Sequence, residues 1–124
     1  MKPLLASAVI ALSFPVGSAG AGTVTITDAG ARNVGSSAAY VATCEKEQLL
    51  PVGTIADFLA DLKESLTSEH WRTVLKQYQA SLHEQRQYSI AKDEWIPFRI
   101  NSANCTDLAK ALPVLRAAVR RNSR

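Results

Sequence analysis

Residues 68–88 read SEHWRTVLKQYQASLHEQRQY. Trp71, Val74, Leu75, Tyr78 and Leu82 recur three and four apart, the period of one helix face. Neither proline nor glycine interrupts the run, and Glu69 in its first turn suits the positive end of a helix dipole. The spacing predicts a helix that starts at Ser68 and stops between Gln87 and Lys92. Its outer side is polar, with Gln77, Gln79, Glu84, Gln85, Arg86 and Gln87. Apolar-faced segments on both sides need something to pack against, and this helix is expected to supply it.

Upstream, Ile55, Phe58, Leu59, Leu62 and Leu66 form a second stripe, opened by Thr54 as a capping hydroxyl. Asp57, Asp61 and Glu64 are four and three apart and share the opposite face. That acidic face reads as solvated surface, or as a place for a cation or a basic partner, though no EF-hand loop accompanies it. Pro51 and Gly53 separate this helix from an earlier one, capped by Ser36 or Ser37 and running to Leu50. There Tyr40, Val41 and Cys44 trace the apolar side. Residues 22–35 read as a flexible arm with a turn at Asp28-Ala29-Gly30, because a β-branched stretch at 23–27 has no evident strand to pair with.

Downstream, residues 89–102 are the least regular part. Ile96, Phe98 and Ile100 alternate as in extended chain, and Pro97 bars a central ladder position. Trp95, Ile96 and Phe98 either cover the edge of the helical core or present a binding surface, with Tyr88 beside them. A last helix carries Cys105, Leu108, Leu112, Leu115 and Val119 at helical spacing, and Pro113 should kink or divide it. The expected fold is all-α: a four- to five-helix bundle, with one helical domain over 36–121 and an irregular segment at 89–102.

The chain has 124 residues. Its first 21 read as an export signal: Lys2, an apolar run from Leu4 to Val16, then the small-x-small site Ala19-Gly20-Ala21. No second apolar span follows, so the mature chain is expected to be exported, periplasmic or secreted, and not membrane-spanning. In an oxidising compartment Cys44 and Cys105, both on apolar helix faces, can pair in one way only. The formal charge of +3 gathers near the C-terminus, at Arg116, Arg120 and Arg121. In an exported protein such a tail reads as a helix end that favours cations rather than a nucleic-acid site.

Chemistry-bearing motifs are sparse. His70 and His83 lie thirteen apart, which matches no compact zinc pattern. There is no CxxC, no CxxCH haem site, no GxSxG elbow and no phosphate-binding glycine loop. No catalytic residue, metal or cofactor is therefore assigned. The plan resembles small periplasmic acid-stress chaperones held by one disulfide, in its signal, its early Cys44-Glu45 pair and its Cys105 ahead of a basic helix. The cysteine interval and the long helix over 71–88 depart from that pattern. Size and composition are also similar to secreted immunity proteins that neutralise toxins passed between bacteria. No motif assigns the chain to either group. The leading expectation is a non-enzymatic exported protein that binds a protein partner in the cell envelope, immunity- or adaptor-like. The alternatives are a stress chaperone and an enzyme of unrecognised type.

Overall fold

A computed structural model describes the backbone of residues 26–122 and the side chains of residues 26–117. The expected export signal, the start of the arm and the side chains of Arg120 and Arg121 lie outside the described residues. Among the described residues four helices and one hairpin follow in order: α1 (Asp28–Lys46), α2 (Thr54–Ser65), α3 (Ser68–Glu84), β1 (Arg86–Ser89), β2 (Glu94–Pro97) and α4 (Ser102–Asn122). The protein is mostly helical but not all-α, since an antiparallel two-stranded sheet occupies much of the segment expected to be irregular.

The organising helix is α1, not the Trp71–Tyr78 helix. It begins eight residues before Ser36, inside the expected arm. Thr27 is its N-cap: the hydroxyl accepts from the Gly30 amide at 3.0 Å, and Asp28 sits in the first turn. Thirteen of its nineteen residues are buried, so it is a central helix covered on several sides. Small side chains make that possible. Gly35 is the tightest point: a Cβ there would lie 2.6 Å from Gln77 Cβ, 2.7 Å from the Val74 carbonyl oxygen and 2.9 Å from the Tyr78 amide nitrogen. The helix therefore meets α3 backbone to backbone, as only glycine allows. Helix α3 lies outside it, burying Val74 and Ser81, with Trp71 and Tyr78 partly covered and Leu82 36% exposed.

Helix α1 ends at Lys46 rather than Leu50. Gln48 turns the chain in the left-handed region at φ 64°, and the Leu49 amide donates to the Cys44 carbonyl at 2.8 Å. Beyond it α2 buries Phe58 and Leu62 and its C-cap Leu66 is buried as well, as the stripe predicts, and α4 buries Cys105, Leu108, Leu112 and Leu115. The Cys44–Cys105 disulfide is present, with Cα atoms 5.9 Å apart, and joins α4 to the last turn of α1. Asn101 starts α4 by accepting from the Asn104 amide at 2.7 Å. The helix runs on through Pro113, whose ring lies on the exposed side.

Helix α3 stops at Glu84 because Gln85 adopts φ 57° and turns the chain into β1. The register pairs Gln87 with Ile96 and Tyr88 with Trp95. The Tyr88 amide and carbonyl point away from β2, toward α1. The Tyr88 amide donates to Ser36 Oγ at 3.0 Å, and Asn33 Nδ2 donates to the Tyr88 carbonyl at 2.9 Å. Gln87 Nε2 donates to Ser37 Oγ at 2.9 Å. Two side chains of a helix thus stand where a third strand would, and they close that edge of the sheet. Asn33 is fully buried, so Asn33→Ala leaves the Tyr88 carbonyl unpaired. The expected loss is about 2 kcal/mol, read as a lower urea midpoint with loss of hairpin amide protection.

Candidate functional site

The hairpin gathers most of the aromatic side chains expected to matter. Tyr88 and Trp95 are cross-strand partners, with ring centroids 5.2 Å apart in an edge-to-face arrangement. The Arg32 guanidinium, from α1, lies 4.7 Å over the Tyr88 ring, and Arg86 lies 4.6 Å over the Trp95 ring. Arg32, Tyr88, Trp95 and Arg86 form a continuous row of contacts, with a cation over each ring and the two rings meeting edge to face. The Tyr88 hydroxyl is hydrogen-bonded to Asp93 Oδ1 across the hairpin loop. Asp93 holds φ 50° there, and its amide donates to the Ile90 carbonyl at 3.3 Å.

Burial separates the candidates. Tyr88 is 5% exposed, so its expected place on a binding surface is corrected. Cross-strand pairing and the Arg32 guanidinium cover its ring, and it serves as the floor under Trp95. Trp95 and Ile96 are half-buried and lie off the main core, whereas Phe98 packs against it. Phe98 lies on Tyr40 at 4.5 Å between ring centroids, and the Tyr40 hydroxyl donates to the Arg99 carbonyl at 2.8 Å. Burial pushes the Tyr40 hydroxyl above its ordinary pKa, so it stays a donor through the neutral range. Phe98 therefore anchors the strand, leaving Trp95 and Ile96 as large apolar groups of the hairpin that solvent reaches, Trp95 being the larger. Glu84 Oε1 lies 2.8 Å from Arg86 Nε but off hydrogen-bond alignment, with both side chains nearly half exposed, so this pair contributes little.

The acidic triad does not act as one open face. Asp57 and Glu64 are exposed, but Asp61 receives Arg116 Nε at 2.5 Å and ties α2 to α4. Thr54 does not accept a first-turn amide either. Its hydroxyl donates to the Pro51 carbonyl at 2.6 Å. Glu45, from the last turn of α1, caps α2 instead. Its Oε2 accepts from the Gly53 amide at 3.1 Å and its Oε1 from the Ile55 amide at 2.9 Å. Glu45 is ten residues from Ile55 in sequence, and only the fold of the intervening loop brings it to α2. The amide of Ile55, then that of Gly53, holds the Glu45 carboxyl below its usual pKa.

His70 is occupied locally, with Nδ1 2.7 Å from the hydroxyl of Thr67, the N-cap of α3. Among the described residues no three His, Cys, Asp or Glu side chains are grouped to hold a metal ion, and no helix is long and apolar enough to cross a membrane. No protein-family model, no curated protein and no solved structure matches this chain.

Proposed function

We propose that this is a non-enzymatic exported protein, periplasmic or secreted, that binds a protein partner through its hairpin, with Trp95 as the anchor. The observation that supports this most is the Arg32–Tyr88–Trp95–Arg86 row of contacts. A half-buried tryptophan gripped on two sides has little rotamer freedom left to lose when a partner covers it. Tryptophan and arginine side by side are also the side chains that most often dominate binding energy at interfaces. Export is supported by the signal-like first 21 residues and by a disulfide that persists in oxidising compartments.

The test is capture from an envelope extract by immobilised protein, native against Trp95→Ala. Truncating a central anchor removes about 2 kcal/mol or more, roughly a 30-fold loss of affinity. The far-ultraviolet circular dichroism of the variant should match the native protein, because Trp95 lies off the core. Equal recovery of the partner by both proteins would defeat this reading.

A further inference from the structure

We propose that α2 is an acid-sensitive flap: when Glu45 and Asp61 are neutralised it lifts from between α1 and α4, and bares the apolar face that it now covers. Two carboxylates hold this helix. Glu45 grips its N-terminus from α1, and Asp61 reaches across to Arg116 on α4. The N-terminus has no cap of its own, because Gly53 stands at the cap position with φ 100° and no side chain. When the Glu45 carboxyl is protonated only its carbonyl oxygen remains a good acceptor, so one of the two amides, Gly53 or Ile55, loses its partner and the charge-assisted grip on the other weakens. The apolar face at stake includes Phe58 and Leu62 on α2, with Leu108, Leu112 and Leu115 on α4.

The charge pattern points the same way. Helix α2 carries Asp57, Asp61 and Glu64 against Lys63, a net −2. Helix α4 carries Lys110, Arg116, Arg120 and Arg121 against Asp107, a net +3. Protonating the carboxylates turns this attraction into repulsion, at +1 against +4. Around Glu45, the α3 side contributes Tyr78, which is neutral in acid, and α2 has Asp57 in its first turn. Lys46 and Glu47 follow on its own segment. Opposite Asp61 stands Arg116, with Asp57, Lys63 and Glu64 along its own helix.

The folded Glu45 carboxyl is held below its unfolded value, so its contribution is present above the ordinary carboxylate range. It is lost as pH falls through the folded value, and the window of opening is acidic. Two features keep the opening local. The disulfide still tethers α4 to α1. The hairpin packs on α1 and α3 and not on α2 or α4, so the Trp95 patch is untouched and this device stands apart from the hairpin reading.

The experiment is an amide-resolved nuclear magnetic resonance titration of the oxidised protein from neutral pH down to about 2.5, across the carboxylate range. Fluorescence of an apolar-surface dye is read in parallel. The Ile55, Phe58 and Leu62 amides should leave their native positions while those of α1, α3 and the hairpin stay, and dye fluorescence should rise several-fold. The Glu45→Gln/Asp61→Asn double variant should show the same dye signal already at neutral pH. If that variant fails to fold, the native titration decides alone. Native α2 resonances at the lowest pH, or loss of all elements in one transition, would overturn the proposal.

Discussion

Replacing Gly35 by alanine is expected to lower stability by about 2 kcal/mol, and replacing it by valine by more. Alanine is the better helix former by about 1 kcal/mol, so a solvent-facing glycine in this helix would gain from the change. Gly35 is buried and faces α3. Its added carbon falls within 3.0 Å of three atoms, and two of them, the Val74 carbonyl oxygen and the Tyr78 amide nitrogen, are backbone. No rotamer change relieves backbone atoms. The two helices must separate, and the seam that holds Val34, Ala38 and Val74 loosens with them. A loss of 2 kcal/mol in a domain of this size lowers the melting midpoint by roughly 10 °C. Truncating the third neighbour in Gly35→Ala/Gln77→Gly should recover little, since the two backbone contacts remain. A melting midpoint equal to that of the native protein would show that the helices do not meet this closely.

That contact also explains what the sequence hid. Residues 28–35 contain two glycines and Val34 as the one sizeable apolar group, a composition that reads as arm and turn. Tertiary packing overrides those weak preferences, because small side chains let α1 approach its neighbours closely and pay in contact area what they lack in propensity. The stripes on α2 and α4 were legible, since Phe58, Leu62, Leu108 and Leu112 are large enough to reveal the period by themselves. The pairing of Cys44 with Cys105 was legible too, by elimination and by face.

The hairpin was half legible. Alternation of Ile96, Phe98 and Ile100 announced extended chain, and Pro97 suits the outer edge of β2. Its partner β1 was not, because RQYS has no strand pattern of its own and continued the polar face of α3. What makes it a strand is the turn at Gln85 and the side chains of Asn33 and Ser36, fifty residues away. The candidate site inherits this. Trp95 was legible as a large apolar group in an irregular segment. That Tyr88 lies beneath it, with Arg32 and Arg86 at the two ends, depends on register, which local sequence does not disclose.

Removing the disulfide with Cys44→Ala/Cys105→Ala is expected to cost about 4 kcal/mol, the chain-entropy value for a loop of roughly sixty residues. Net stabilities lie between about 5 and 15 kcal/mol, so little margin remains. The urea midpoint should fall by roughly 2 M. The loss should also be uneven. Among the described residues helix α4 packs on α1 and α2 and on neither α3 nor the hairpin. Its own helical stability is reduced by Pro113, which removes one backbone hydrogen bond near its middle. With the covalent link gone, its described part is held chiefly by Leu108, Leu112, Leu115 and the Asp61–Arg116 pair. Amide exchange in α4 should therefore rise before that in α1, α3 and the hairpin, and α2 should follow α4 because the two share one apolar seam. Uniform exchange through the whole chain would mean that the disulfide supports the fold globally. An unchanged urea midpoint would mean that packing alone holds α4 to the end of α1.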